Sequence, residues 1–300
     1  MLLIITLSGD PAVDLVVDKV SIPIFRLNVD RFRDYEFTLR PKDWEIVGPG
    51  SHRISSDTGT RCWWWKPLIT RSSEDPLIMG EVRASVEELY SWFARRHWLV
   101  GNSPLFERRI GKLYQAEVAA DFFETPTSVV LWGQRPNALL TTDRRWVAKS
   151  QAMEMTADGR GLFVTEVDVQ SLDAVGPWFL QPLVESPTDV TVQVAGDDLF
   201  AFQRSRSGNL TPDWRFDFFV GEATWEPVSL SRSEVSQVLD YCKALGVNWG
   251  RLDFLRVDGR LIFLELNPNG QWGFLDPADD SGLVTGVARF LSESTTHGRH

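Results

Sequence analysis

The sequence predicts a mixed α/β protein. A strand, a helix and a second strand fit before residue 28, and strands and helices keep alternating to the C-terminus. The last third also holds a hairpin built from two nearly continuous apolar strands.

The opening Met1-Leu2-Leu3-Ile4-Ile5-Thr6 is apolar but short and carries no basic leader, so it reads as a buried first strand and not as a signal segment. Ser8-Gly9-Asp10-Pro11 marks a turn and a helix start, and Val13, Val16, Val17 and Val20 follow at helical spacing. The chain returns as a strand at 24–27, which predicts a parallel pair. Strands are predicted at 35–40 and 61–66, a Gly/Ser-rich loop at 48–59, and a helix at 81–97 with Val82, Val86, Leu89 and Phe93 on its buried side. A second segment opens at 101–104 with a helix predicted over 105–122 and short strands at 128–132, 146–150, 162–165 and 178–181. In the third, strands at 190–194 and 199–204 precede a helix over 231–245, flagged by the capping pair Ser231 and Glu234 and stopped by Gly246. The hairpin strands are 251–257 and 260–266, and a last helix covers 281–291.

Composition narrows the function. With 300 residues, of which 43% are apolar and 24% charged, the chain can build its core without disulfide or metal staples. Its 31 basic and 41 acidic residues give a net charge of −10, which argues against a nucleic-acid binder. The pairs Arg108-Arg109 and Arg144-Arg145 read as solvated turns or helix ends, with an anion site as the sharper alternative. No apolar run is long enough to span a membrane. Two cysteines, Cys62 and Cys242, leave one bridge open but fit a reducing cytoplasm best. Four histidines disfavour a transition-metal site, so any metal must be held by oxygen. The tryptophans Trp63, Trp64, Trp65, Trp98 and Trp132 read as core or interface before they read as a stacking platform.

The hairpin carries the chemistry. Asp253 lies amid Leu252, Phe254 and Leu255, and Glu265 and Asn267 share one face of the second strand. A carboxylate in an apolar strand is costly unless it is paired or binds a cation. In a regular ladder, a two-residue Asp258-Gly259 turn pairs Asp253 with Leu264 and turns Glu265 away. A three-residue loop over 257–259 brings Asp253, Glu265 and Asn267 to one face, and this loop is the prediction. Two carboxylates and an amide oxygen suit Mg²⁺; the alternative is an exposed hairpin whose acids face water. Neither common glycine-rich phosphate loop is present, which leaves Lys112 and Lys149, the latter closing the apolar strand Trp146-Val147-Ala148-Lys149, as candidate phosphate cations.

Leu252-Asp253-Phe254, followed by Phe263-Leu264-Glu265-Leu266-Asn267-Pro268-Asn269-Gly270-Gln271-Trp272, resembles the metal-binding end of the ATP-grasp superfamily. Its Asn-Pro-Asn-Gly-Gln-Trp continuation is similar to the branch that matures ribosomal peptides, the microviridin-type or graspetide macrocyclases. The resemblance implies an ATP-grasp fold, two α+β subdomains enclosing ATP, behind an N-terminal parallel-sheet domain. It places the domains at 1–101, 102–182 and 183–300. It also implies that Lys112 and Lys149 meet the nucleotide phosphates, that the hinge Phe179-Leu180-Gln181-Pro182-Leu183-Val184 meets adenine through Gln181 and Leu183, and that Asp189 lies on the ribose side. Asp213-Trp214-Arg215 resembles the family's Asp-Trp-Arg element, with Arg215 on the transferring phosphoryl or the acceptor carboxylate and Asp213 orienting the nucleophile. Thr191 departs from the pattern, since related enzymes commonly have Arg there.

The implied function is an ATP- and Mg²⁺-dependent ligase. It activates a carboxylate as acyl phosphate and forms ester or amide cross-links in a precursor peptide with leader and core. No nucleic acid or membrane partner is implied, and a homodimer is compatible with the resemblance. Two alternatives stay open: a ligase for free amino acids or small molecules, and a nucleotide- or peptide-binding module without turnover.

Overall fold

The computed structural model describes residues 1–67, 75–102, 109–136, 139–151, 164–206 and 224–293. The first apolar run forms β1 (Leu2–Thr6), buried on both faces because helices and loops cover both sides of a parallel sheet. Asp10 caps α1 (Pro11–Val17) by accepting the N–H groups of Ala12 and Val13. β2 (Ile24–Asn28) then returns parallel to β1, as the sequence predicts. With β6 (Arg61–Trp64) and β7 (Leu99–Val100) it makes a four-stranded parallel sheet in the order β2-β1-β6-β7. The predicted strand at 35–40 is β3 (Glu36–Leu39). It joins two strands that the sequence reading does not contain in an antiparallel sheet, pairing with β4 (Trp44–Val47), which pairs in turn with β5 (Arg53–Ser55). The second corrects the loop predicted over 48–59: in β5 only Ile54 is buried, so no apolar alternation marks it. α2 (Pro76–Ala94) begins five residues earlier than predicted, because Asp75 caps it and Pro76 takes the first position.

In the middle segment the helix predicted over 105–122 is interrupted: Arg109 is helical, and Ile110 and Gly111 are not. Residues 105–108 lie outside the described residues, and α3 (Lys112–Ala119) starts only after Gly111. Lys112 therefore opens a helix instead of sitting within one. β8 (Val129–Leu131), β9 (Trp146–Lys149), β10 (Thr165–Val167) and β11 (Trp178–Pro182) form an antiparallel sheet in the order β10-β9-β11-β8. Of the strand predicted at 162–165, residues 162–163 lie outside the described residues.

The third segment places β12 (Thr188–Ala195), β13 (Asp198–Ser205), β14 (Glu226–Pro227), β15 (Trp249–Val257) and β16 (Arg260–Asn267) in one antiparallel sheet, ordered β14-β13-β12-β15-β16. Its two faces differ in chemistry. Val190, Val192, Val194, Leu252, Phe254, Phe263 and Leu266 pack with Val238, Tyr241 and Leu245 of α4 (Arg232–Leu245), whose capping box and left-handed Gly246 stop are as predicted. The opposite face carries the polar residues. α5 (Leu283–Glu293) packs its Val284, Val287 and Leu291 into a core shared with Leu2, Ile4, Val13, Trp63 and Trp65.

The hairpin corrects one prediction and keeps its consequence. Val257 pairs with Arg260 across a two-residue turn in which Asp258 and Gly259 have φ of 48° and 78°, so the three-residue loop is not formed. The ladder continues to Phe254 opposite Phe263, then slips, and Asp253 faces Glu265. Leu264 is the extra residue of a β-bulge, which lets it and Glu265 reach the same face. The outer edge of β16 is covered: the Gln115 side chain accepts the Leu266 N–H (2.9 Å) and the Glu124 carbonyl accepts that of Phe263 (2.9 Å).

The two cysteines are separate buried thiols, and burial pushes the Cys242 thiol up to about 12. Trp63 and Trp65 stack at 4.9 Å and meet Trp249 edge-on, in the core position the sequence predicts, whereas Trp132 is 71% exposed. Among the described residues, no helix is long and apolar enough to cross a membrane.

Candidate functional site

The polar face of the large sheet is ordered in rows by strand pairing. Thr191, Asp253 and Glu265 lie opposite one another, and so do Gln193, Arg251 and Asn267 in the next row. The predicted trio of Asp253, Glu265 and Asn267 is therefore on one surface. The Asn267 amide nitrogen donates to Asp253 Oδ2 (2.8 Å) and to Glu265 Oε1 (3.2 Å), locking the three together and leaving the amide oxygen for a ligand.

Lys112, from the first turn of α3, donates to Glu265 Oε2 at 2.7 Å with both side chains about three-quarters buried. Burial by itself raises the Glu265 carboxyl, but the charges of Lys112 and Lys149 and the hydrogen bonds from Lys112 and Asn267 outweigh it and hold the group down at about 2. Glu265 is thus ionised, and both predicted lysines act on it although they come from different elements. Lys149 ends β9 opposite Phe179 and lines a cleft between the middle sheet and the hairpin, together with Gln181, Leu183, Arg206, Leu255 and Leu264. Gln181 is buried and donates to the Ser128 hydroxyl (2.9 Å), and the Leu183 N–H donates to the Arg145 carbonyl (2.8 Å).

Asp189 does not line this cleft. Its buried carboxylate accepts from Arg204 (2.7 Å to Nη2) and Arg206 (2.5 Å to Nη2), and of this cluster Arg206 is the member that reaches the cleft wall. Asp213 and Arg215 lie outside the described residues. Arg145 is exposed and paired with Glu166 and Glu185, in line with the solvated-turn reading.

The sequence reading missed Arg251. Its fork donates from Nε and Nη2 to the two oxygens of Asp253, each at 3.1 Å, and from Nη1 to the Gln271 carbonyl at 2.6 Å. The available signal was its place two residues before Asp253, hence on the same strand face. Thr191, where the resemblance leads one to look for Arg, donates its hydroxyl to Asp253 Oδ1 at 2.8 Å. Among the described residues Asp253 accepts four hydrogen bonds, so a cation entering here exchanges with one of these donors.

Among the described residues, no group of three or more His, Cys, Asp or Glu side chains is placed to hold a metal. The trio instead offers two carboxylates and one amide. Hard, partly ionised and oxygen-only, it fits Mg²⁺. A larger hollow of about 480 Å³ opens on the N-terminal part between Asn28, Arg31, Asp34, Tyr35 and Pro49, but Arg31 and Asp34 pair with each other there (2.8 Å) and no phosphate cation converges on it.

No protein-family model matches the chain, and no curated protein matches it by sequence. Solved structures share its fold. A RiPP-associated ATP-grasp ligase of Chryseobacterium gregarium, in complex with ADP and a leader and core peptide, is similar with a TM-score of 0.83 at 20% identity, over 98% of this chain and 97% of that one. The macrocyclase MdnC of Microcystis aeruginosa MRC, bound with precursor peptide MdnA, gives 0.77 at 19% identity, over 98% of this chain and 100% of that one. The ATP-grasp ligase PsnB, complexed with minimal precursor, Mg and ADP, gives 0.66 at 16% identity, over 97% and 96%. The fold is that of the ATP-grasp ligases.

Proposed function

We propose that the chain is an ATP- and Mg²⁺-dependent ligase that joins a carboxylate to a hydroxyl or amine within a ribosomally made precursor peptide. One observation carries the reading: Lys112 and Lys149, from two separate elements, converge on an ionised Glu265 beside Asp253 and Asn267 at the edge of a cleft between two sheets. Cations in that arrangement suit a triphosphate, and the three similar structures are complexes with ADP, a precursor peptide or both.

In this reading residues 1–101 are a domain preceding the nucleotide-binding unit, and 102–182 and 183–300 enclose ATP. Gln181 and Leu183 border the base, and Asp189 acts on the ribose side through Arg206. Lys112 and Lys149 hold phosphate oxygens. Asp253, Glu265 and Asn267 hold Mg²⁺, which when bound neutralises charge on the β- and γ-phosphates. A substrate carboxylate oxygen attacks the γ-phosphorus and ADP leaves, giving an acyl phosphate. A hydroxyl or amine then attacks the carbonyl, inorganic phosphate leaves, and the nucleophile's proton passes to a base, for which Asp213 is the candidate. Arg215 is the candidate for the acceptor side. No protein nucleophile is required.

The experiment is mass spectrometry of a small Thr- and Glu-rich peptide encoded beside this chain, incubated with the protein, ATP and Mg²⁺. The expected product has lost one water per ring. ATP-dependent phosphate release with a free amino acid, and no change in any peptide, supports the small-molecule ligase instead. Nucleotide binding with no phosphate release under either condition supports a module without turnover.

A further inference from the structure

We propose that Arg251 is a catalytic residue of this site: its guanidinium binds the transferring phosphoryl and the acceptor carboxylate, taking the place of an arginine at position 191. The inference rests on the nucleotide reading above and goes further, by assigning the acceptor end of the cleft.

The order of residues along β15 gives the direction. Leu255, Asp253 and Arg251 point to one face in steps of two residues, each step about 6.7 Å. Leu255 lines the cleft near Gln181 and Leu183, and Asp253 belongs to the cation-binding trio. Arg251 therefore lies beyond the trio, away from the base, where the end of a triphosphate meets its acceptor. The next residue on this face, Trp249, is 1% exposed and packs against Trp63 and Trp65, so the cleft closes there. Along β15, Arg251 is the last charged residue before that wall.

Its surroundings suit an anion. Asp253 and the Gln271 carbonyl hold the fork, and its Cζ lies 5.7 Å from the Phe274 ring. A planar, always-charged fork matches both a carboxylate and the equatorial oxygens of a phosphoryl group in transfer.

Position 191 explains the exchange. Thr191 pairs with Asp253 and Gln193 with Arg251, so 191 and 251 are diagonal neighbours on one face, roughly 7–8 Å apart. A long guanidinium side chain from either backbone position reaches the same point. Thr191 fills only the space beside Asp253 Oδ1. Arg251 thus supplies, from the adjacent strand, the positive charge that the resemblance leads one to look for at 191.

The test measures Mg²⁺–ADP affinity, and then aluminium fluoride affinity of the ADP complex, by tryptophan fluorescence in wild type, R251A, R251K and R251A/T191R. Aluminium fluoride mimics the transferring phosphoryl. R251A should keep ADP affinity within about threefold and lose about tenfold or more for the fluoride, with phosphate release down about 10²-fold, as for other lost charge contacts. R251A/T191R should recover most of the fluoride affinity. R251K, which keeps the charge without the fork, should fall between and carries the test if R251A does not fold. Unchanged fluoride affinity in R251A, or ADP and fluoride affinity lost in parallel without rescue by T191R, overturns the proposal. A wild-type protein that binds no Mg²⁺–ADP overturns the nucleotide reading itself, a different outcome from ADP binding that is indifferent to Arg251.

Discussion

Replacing Lys112 with Met removes the strongest partner of Glu265 and leaves a carboxylate facing Lys149 alone. The Nζ–Oε2 distance is 2.7 Å. At an effective dielectric of about 20 that contact is worth about 6 kcal/mol in Coulomb terms. Both side chains are about a quarter exposed, and each recovers solvation when the pair is lost, so the net cost is about 1–3 kcal/mol. Its pH dependence has a definite sign. Glu265 is held at about 2 in the folded protein against an ordinary 4.5, so its contribution is complete above the higher value and disappears as pH falls towards the lower. In K112M burial pushes the carboxyl upward with less to oppose it. Urea unfolding in EDTA, without nucleotide, should therefore separate wild type from K112M clearly at about pH 7 and much less at about pH 3. A stability gap of equal size at both pH values refutes the assignment, because a loss of packing alone does not titrate.

Three further outcomes follow from the same coordinates. K149M should lower ATP-dependent phosphate release by about 10²-fold or more while costing less in unfolding than K112M, since Lys149 acts on Glu265 by charge and Lys112 by charge and a hydrogen bond. W63A should cost about 3–5 kcal/mol in urea unfolding, because a fully buried indole is removed from between Trp65 and Trp249. Q115A should cost about 1–3 kcal/mol by uncovering the buried Leu266 N–H; hydrogen exchange at that amide should speed up in step.

The site was legible where chemistry and periodicity agreed. Asp253 in an apolar strand, Glu265 and Asn267 two apart, and Lys149 closing β9 are each visible as a polar residue in the wrong company. The route to their convergence was not visible. Asp258-Gly259 takes the two-residue turn that its left-handed backbone favours, and the register is restored by a bulge at Leu264, which nothing in a Phe-Leu-Glu run announces. Arg251 was overlooked because an arginine near a strand start is ordinarily a solvated end, whereas here its side chain is 10% exposed against Asp253. Lys112 meets Glu265 but was expected within a helix, because the break at Gly111 follows residues whose pattern continues a helical face.

The cores decide which wall of the cleft is the more firmly held. The hairpin and the large sheet belong to packing that continues into the N-terminal sheet: Trp249 and Trp272 share a cluster with Leu2, Ile4, Trp63 and Trp65, and Asn102 ties the intervening chain to the Trp249 and Pro268 carbonyls (2.6 and 2.8 Å). The middle sheet has its own small cluster, Leu131, Trp146, Ala148, Val169 and Leu180. A segment with few buried apolar contacts opens at lower free energy than one in the main core. Amide hydrogen exchange should therefore be faster in β9 than in β15 and β16. The two lysines consequently differ in support despite acting on the same carboxylate: Lys112 hydrogen-bonds Glu265 beside the larger core, while Lys149 acts by charge from a strand of the smaller cluster.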